Sequence, residues 1–395
     1  MFYLNELALV CALGDNHDQI RQRLFDGDSG VVMTEQYSVG HSLSLGCVVS
    51  VLPCIEDIPL AQRSRNNQLA LAALAQIRPQ VDAAIARYVA HRIAIVMGTS
   101  TSGIAESENA FREHLAVGEF PAQFTYVQQE MGSVATMLAQ LLGVSGPAYV
   151  HSSACSSSGK AMASAARLLK MGICDAVLTG GVDSLCALTV AGFGALESVS
   201  AERCMPFSAH RNGINIGEGA ALFLMTMEPA SVALCGWGES SDGYHISAPD
   251  PTGGGARLAI MQALSSAGIS AEKIDYINLH GTATLQNDAM ESRVIAELFG
   301  DGAESSVAAS STKSYTGHTL GAAGAVEAGL CWLMMQDDNP MGMLPPHLWD
   351  GAQDAGLPHL NLVQKGEHLG RPLSWALSNS FAFGGANVAL VLGRI

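Results

Sequence analysis

The sequence has no long apolar segment and no excess of positive charge. No uninterrupted apolar run approaches the roughly 20 residues that a membrane helix needs, and the N-terminus lacks the basic stretch of a signal peptide. We therefore expect a cytoplasmic protein without a membrane span. Basic side chains number 20 against 36 acidic ones, and the net charge of −16 disfavours nucleic acid as a partner.

Patterns that would bind a metal or a nucleotide are also missing. The nine cysteines are odd in number and contain no C-x-x-C pair, which favours reduced thiols over disulfides or a zinc site. Gly159-Lys160 resembles part of a P-loop, but Ala154 and Ala161 stand where that motif needs glycine and a hydroxyl residue. No glycine-rich stretch has the G-x-G-x-x-G spacing. We expect neither a metal nor a dinucleotide cofactor.

What the chain does have is a regular alternation of strand and helix patterns. Hydrophobic residues make up 48% of the 395 residues and charged ones 14%, so a large core can form. The alternation predicts an α/β fold. The predicted strands are 92–98, 148–151, 175–179, 221–227, 274–279, 374–377 and 388–393, and the predicted helices are 156–171, 256–267, 288–299 and 322–335.

A region rich in turn residues divides the chain. It covers residues 231–255 and follows Glu228-Pro229, so we predict one half at 1–230 and a second at 231–395. In each half a strand ends in a loop of small residues, at 152–155 and at 378–385. This similarity suggests a duplicated unit.

Cys155 is the strongest candidate nucleophile. It lies between an apolar strand and a predicted helix, in a run of small residues. At a helix N-terminus the free N–H groups and the helix dipole favour thiolate over thiol, which predicts a reactive cysteine near neutral pH. The other eight cysteines lack this setting.

The second half contributes two histidines and a lysine in similar positions. His280 follows a predicted strand, at the carboxyl end where α/β folds place reacting groups. Lys313 and His318 lie in a loop of small residues that opens a helix. A lone histidine is more often structural, but two in such loops together with Cys155 favour a catalytic site.

These motifs together resemble an elongating β-ketoacyl-acyl carrier protein synthase, a condensing enzyme of the thiolase-like superfamily. The resemblance implies a five-layered αβαβα fold with two similar halves, usually assembled as a dimer. It rests on matching runs at 98–100, 154–157, 206–220, 241–245, 280–284, 313–318 and 379–387.

The resemblance also implies roles for the catalytic residues. Cys155 would be the acyl-accepting nucleophile, and His280 and His318 would face the malonyl thioester. Lys313 would organise the site electrostatically, with Glu291 supporting that network.

Further roles follow from the same resemblance. The backbone N–H groups of Cys155 and Phe383 would form the oxyanion hole, and Thr282 and Thr284 would bond the phosphopantetheine arm. Phe383 would also gate the acyl pocket. Two further side chains would line that pocket, Phe193 and Ile104.

The implied reaction is a decarboxylative Claisen condensation between an acyl group on Cys155 and malonyl-acyl carrier protein. The product is 3-oxoacyl-acyl carrier protein, and the substrates travel on the carrier protein's phosphopantetheine arm, so no cofactor is required. We expect a homodimer or a heterodimer with a related subunit, which would cover the sheet edge at 148–151. Arg63, Arg65 and Arg203 are the best candidates to contact the carrier protein.

Three other interpretations of the chain's function remain. A thiolase would need a second reactive cysteine near 379–387, a starter-unit synthase would lack the lysine–histidine loop, and a non-catalytic chain-length partner would lack the nucleophile. Asn212 and Ala283 depart from the commonest family pattern. With the 179–185 run and the short N-terminus, they favour the discrete synthases of aryl-polyene clusters over a housekeeping enzyme.

Overall fold

The chain folds around one large mixed sheet. The structure is a computed structural model that describes residues 1–300 and 307–395. Ten strands form the sheet, and β2 and β3 form a separate two-stranded ribbon. The strands are β1 (Phe2–Cys11), β2 (Val32–Thr34), β3 (Leu43–Leu45), β4 (Ile93–Gly98), β5 (Ala148–His151), β6 (Ala176–Asp183), β7 (Gly219–Thr226), β8 (Val232–Ser241), β9 (Tyr276–Asn278), β10 (Ala308–Ser310), β11 (Trp375–Phe381) and β12 (Ala386–Arg394).

Helices cover both faces of this sheet. Within the described residues they are α1 (His17–Asp26), α2 (Arg65–Tyr88), α3 (Ile104–Val117), α4 (Ser133–Leu142), α5 (Ser157–Lys170), α6 (Ala187–Ala195), α7 (Gly254–Ala267), α8 (Leu285–Phe299), α9 (Lys313–Thr316) and α10 (Ala323–Met334). Across those same two stretches of chain, none is both long and apolar enough to cross a bilayer.

The sheet consists of two halves with the same topology. Its order is β10-β9-β11-β12-β8-β1-β7-β6-β4-β5. In the first half β4 runs parallel to β5 and β6, while β7 is antiparallel to β6 and β1. The second half repeats this around β9, with β10 and β11 parallel and β12 antiparallel to β11 and β8. The repeat confirms two similar halves, whereas the division at residue 231 stays a prediction.

The halves join edge to edge and enclose a central helical layer. Phe2 and Tyr3 of β1 pair with Leu234 and Ala233 of β8. Helices α5 and α10 pack on each other between the half-sheets, α2 and α4 cover the first half, and α7 covers the second. The two central helices approach so closely at Gly324 that a Cβ atom there would lie only 2.9 Å from the backbone nitrogen of Gly159. The absence of a side chain at Gly324 therefore allows this contact. The five predicted layers are therefore present.

The predicted strands and helices all occur, with ends shifted by a few residues. The reading of 231–255 as one turn region is wrong, because β8 occupies 232–241. Two glycines of this region, Gly236 and Gly238, lie within β8 and not in turns. A Cβ at Gly236 would lie 2.3 Å from the Ala263 carbonyl oxygen and one at Gly238 would lie 1.9 Å from that of Ala259, so both glycines allow α7 to pack closely on the strand.

Candidate active site

Cys155 lies where β5 gives way to α5, close to the middle of the molecule. The preceding Ala154 has φ 50°, which makes the tight turn, and α5 begins at Ser157. The Ser157 hydroxyl accepts the Ser153 N–H and donates to the Ala154 carbonyl, so the turn is fixed on both sides. The Cys155 side chain ends up buried, with 5% of the residue exposed.

The acidity expected for Cys155 is not what the structure gives. Burial raises the pKa of its thiol to about 11, because a thiolate loses water in this setting. The Lys313 ammonium and the backbone N–H groups of Phe383 and Cys155 lower the pKa but do not offset burial. In the resting site, burial therefore outweighs the effect of the helix N-terminus, and the reactivity of Cys155 near neutral pH stays a prediction. The two backbone N–H groups that lower this pKa are the ones that the resemblance assigns to the oxyanion hole.

His280 follows β9 in a loop held by Glu291. The Glu291 carboxylate accepts the backbone N–H groups of His280 and Gly281, both at 2.7 Å. Burial raises the pKa of Glu291 to about 7. Burial also lowers the pKa of His280 well below its usual value, and the nearby Lys313 lowers it further, so the ring is neutral. Glu291 thus supports the site by placing the His280 backbone.

His318 completes the group on the other side of the sulfur. Its backbone N–H donates to the Asn215 carbonyl at 2.6 Å, and its carbonyl accepts the Gly217 N–H. The Nε2 atom lies 3.0 Å from Cys155 Sγ, and the ring meets that of His280 edge-on at 5.4 Å. Burial and the Lys313 ammonium lower the pKa of His318 well below the usual range, so this imidazole is neutral as well.

Lys313 has a partner that the sequence analysis missed. Its ammonium forms an ion pair with Glu327 on α10, and both side chains are at most 3% exposed. Burial raises the pKa of Glu327, while Lys313 lowers it. The available signal was a single charged residue inside the otherwise apolar helix α10.

Thr282 and Thr284 line the cavity that contains Cys155, and their bonds to the phosphopantetheine arm stay a prediction. Their hydroxyls lie 2.9 Å apart, and Ala283 between them has φ 62°. Asp288, a second residue that the sequence analysis missed, accepts the backbone N–H groups of Thr282 and Phe207. Asp288 holds the backbone at Thr282 much as Glu291 holds the backbone of His280 and Gly281 just before it.

A cavity of about 560 Å³, including its open mouth, joins these groups. The rings of Phe193 and Phe383 face each other across it at 5.4 Å. Ile104 begins α3 and does not belong to the described lining, so its place in the acyl pocket stays a prediction. The lining residues include Cys155, Phe193, Ser198, Pro249, His280, Thr282, Thr284, Gln286, His318, Phe381 and Phe383.

Cys155, His280 and His318 also form a possible set of soft metal ligands. Their ligand atoms lie within 4.8 Å of one another and all three residues are buried. A zinc-binding histidine normally donates its second ring N–H to an acceptor. Among the described residues, Nδ1 of His318 has no such partner, whereas the His280 ring has a backbone hydrogen-bond partner in Phe381, which raises its pKa. With the Lys313 ammonium nearby, the site fits an oxyanion better than a cation.

Two of the three arginines expected to contact a carrier protein are already engaged. Arg65 forms an ion pair with the buried carboxylate of Glu218, at 2.5 Å. The Arg63 guanidinium donates to the backbone carbonyls of Ile58 and Glu56. The Arg65 side chain links the start of α2 to a buried acid and is 31% exposed, so its contact with a carrier protein stays a prediction. Arg203 is exposed.

Comparison with known proteins decides the family. Residues 60–230 match the family described as "Beta-ketoacyl synthase, N-terminal domain", and residues 232–348 match "Beta-ketoacyl synthase, C-terminal domain". The chain belongs to the β-ketoacyl synthase family. It is therefore a condensing acyltransferase.

Relatives agree over nearly the full length. The chain is 32% identical over 402 residues to nodulation protein E of Rhizobium meliloti strain 1021, covering 98% of this chain and 97% of that protein. It is 28% identical to 3-oxoacyl-[acyl-carrier-protein] synthase 2 of Vibrio cholerae, covering 98% of each. A chain of the complex of ketosynthase ApeO with its chain length factor ApeC, from Xenorhabdus doucetiae, is 45% identical with a TM-score of 0.93, covering 100% of this chain and 98% of that one.

Proposed function

We propose that this β-ketoacyl synthase holds an acyl group on Cys155 and condenses it with a malonyl group carried by acyl carrier protein. One observation carries the assignment: the Cys155 sulfur lies in a buried cavity beside two neutral histidines and the backbone N–H groups of Cys155 and Phe383. These groups match the needs of both half-reactions.

In the first half-reaction Cys155 attacks the acyl thioester. The carbon–sulfur bond to the phosphopantetheine breaks, a new one forms to Cys155, and the thiol proton ends on the departing phosphopantetheine sulfur. The N–H groups of Cys155 and Phe383 stabilise the tetrahedral oxyanion. Lys313 lowers the cost of the thiolate, and an Nε2–H on His318 at 3.0 Å does so too.

In the second half-reaction malonyl thioester enters beside the acylated cysteine. Its carbon–carbon bond breaks, carbon dioxide leaves, and the electron pair forms an enolate whose oxygen accepts N–H bonds from His280 and His318. The carbanion then attacks the acyl carbonyl, and the tetrahedral intermediate collapses to expel the Cys155 thiolate, which takes a proton from water to restore the thiol. Each donor of this kind is worth about 10²–10³ in rate.

The arm of the carrier protein would form hydrogen bonds with the hydroxyls of Thr282 and Thr284, which line the cavity, and Phe383 would gate the acyl pocket. The name of the Vibrio cholerae relative supports acyl carrier protein as the partner. A cytoplasmic location and the absence of a free cofactor remain predictions.

We further propose a dimer with a homologous subunit, in an aryl-polyene type of pathway. Strand β5 lies at a sheet edge, where its unpaired backbone groups call for a partner. Leu188 and Leu196, at either end of α6, are more than half exposed. The ApeO–ApeC complex, a ketosynthase with a chain length factor, supports a heterodimer.

The alternative roles find less support. A chain length partner would have no use for a cysteine placed between two neutral histidines, whereas here the sulfur is 3.0 Å from His318 Nε2. A thiolase would need a second cysteine near Phe383, and residues 379–387 contain none. The lysine–histidine loop is present, which opposes a starter-unit synthase.

Intact-mass measurement tests the proposal. After incubation with acyl carrier proteins loaded with chains of different length, we expect one acyl group per chain, on Cys155. Addition of malonyl-carrier protein should then discharge the enzyme and give 3-oxoacyl-carrier protein. An enzyme that never becomes acylated with any chain length would exclude this mechanism.

A further inference from the structure

Asp183, at the end of β6, is a fully buried carboxylate that receives donors from both halves of the molecule. Its Oδ1 accepts the Thr99 hydroxyl at 2.7 Å, the Ser100 N–H at 2.7 Å, and the N–H and hydroxyl of Thr101, both at 2.9 Å. Its Oδ2 accepts the Ser100 hydroxyl and the Gly321 N–H, both at 2.5 Å. A carboxylate with this many donors fixes every group around it.

The segments that Asp183 joins are both conformationally strained. Residues 99–101 follow β4 and lead through Ser102, at φ 47°, to α3. Gly321 belongs to the turn after His318, where Leu320 has φ 49°. A Cβ at Gly321 would lie 2.8 Å from Asp183 Oδ2, so the carboxylate is packed directly against this turn. Strained backbone persists only where its surroundings hold it in place.

The backbone alone must place the His318 ring. Within the described residues Nδ1 of His318 has no hydrogen-bond partner, and Nε2 faces Cys155. The backbone of His318 itself is held by Asn215, whose carbonyl accepts its N–H, and by Gly217, whose N–H donates to its carbonyl. Three residues further on, the Gly321 N–H donates to Asp183 at 2.5 Å and to the Ser100 hydroxyl at 3.3 Å.

The same arrangement occurs at the other histidine. There the buried Glu291 holds the backbone N–H groups of His280 and Gly281. Each of the two histidines therefore stands beside a buried carboxylate that binds its loop through the backbone. The two carboxylates come from different halves of the chain.

We propose that Asp183 is a positioning residue for malonyl decarboxylation, acting through the Gly321 N–H to hold His318 in place. This inference rests on the proposed role of His318 as a donor to the enolate oxygen. It assigns Asp183 no contact with substrate. It predicts that loosening the Gly321 side of the carboxylate harms decarboxylation more than acylation.

The variant Asp183→Asn breaks this link with little change in shape. Its amide oxygen can take the place of Oδ1 and keep the four donors from 99–101. The NH₂ group then replaces Oδ2 and faces the Gly321 N–H, donor against donor. A misplacement of about 1 Å can cost about 10²-fold in rate. We expect kcat for carbon dioxide release to fall about 10- to 100-fold, with unchanged KM for malonyl-carrier protein and a smaller loss of acylation, because His318 Nε2 also lies 3.0 Å from the Cys155 sulfur.

Two single-hydroxyl variants provide a matched pair that avoids any folding defect of Asp183→Asn. Ser100→Ala removes a donor on the Oδ2 side, next to Gly321, while Thr101→Val removes a donor on the Oδ1 side. Ser100→Ala should lower the ratio of decarboxylation to acylation, and Thr101→Val should leave that ratio at the native value.

Equal ratios in both variants and the native enzyme would overturn the inference, as would equal losses in both. His318→Ala, measured alongside, distinguishes failure of the positioning role of Asp183 from failure of the proposed function. If His318→Ala loses decarboxylation while Asp183→Asn and Ser100→Ala keep it, the positioning role fails and the proposed function stands. If His318→Ala itself decarboxylates at the native rate, the proposed function fails.

Discussion

Replacing His280 with alanine is expected to separate the two half-reactions. His280 is 2% exposed, and its side chain is not one of the proposed oxyanion donors, which are the backbone N–H groups of Cys155 and Phe383. Its loss removes one of two donors to the enolate oxygen, worth about 2.7–4 kcal/mol or 10²–10³ in rate. Because the cavity opens to solvent, water can enter the vacated volume and donate in part. We therefore expect a loss near the lower figure, about 10²-fold.

The assay measures the half-reactions separately. Acyl-enzyme formation is followed by intact mass, and carbon dioxide release from malonyl-carrier protein is followed in parallel. His280→Ala should acylate at close to the native rate, whereas His318→Ala should also acylate more slowly because Nε2 lies 3.0 Å from the sulfur. Native decarboxylation with abolished acylation in both variants would refute the reasoning, since the histidines would then activate the thiol instead.

Three further predictions concern the nucleophile, the buried ion pair and the assembly. Cys155→Ala should abolish condensation and acyl labelling yet fold normally, as circular dichroism can check; label found by peptide mapping on Cys174 or Cys204 of the native enzyme would contradict the assignment. Glu327→Gln leaves the Lys313 ammonium buried without its partner and should lower the free energy of unfolding in urea by about 3–5 kcal/mol, against no significant loss if the pair contributes nothing. Solution scattering should give a mass near twice the 41.1 kDa chain, and a stable, active monomer at micromolar concentration would argue against the covered β5 edge.

The α/β alternation and the candidate site residues were predictable because they are local patterns. Cys155, His280 and His318 each sit in a loop of small residues beside a strand or helix signal, and the structure brings them together. The strand β8 was not predictable in the same way. Gly236 and Gly238 look like turn residues in sequence, and only the approach of α7 shows why a strand needs them.

The electrostatics of the site could not be derived from the sequence. The position of Cys155 before a helix predicts a lowered thiol pKa, but burial by residues far along the chain raises it to about 11. Glu327 and Asp183 were missed for a related reason. Their partners are 14 and 138 residues away, and such pairings follow from the packing of α10 and β6 rather than from any local spacing.

The order in which the site's parts occur along the chain has a consequence during synthesis on the ribosome. The nucleophile belongs to the first half, whereas His280, His318 and the N–H of Phe383 arrive later, the last of them close to the C-terminal Ile395. At about 5–20 residues per second, translation takes roughly 10–50 seconds to proceed from Cys155 to Phe383. Until then a nascent chain lacks one N–H group of the proposed oxyanion hole, and before residue 318 it also lacks the second histidine. We therefore expect a chain truncated before residue 383 to have the thiol but no acylation by loaded carrier protein.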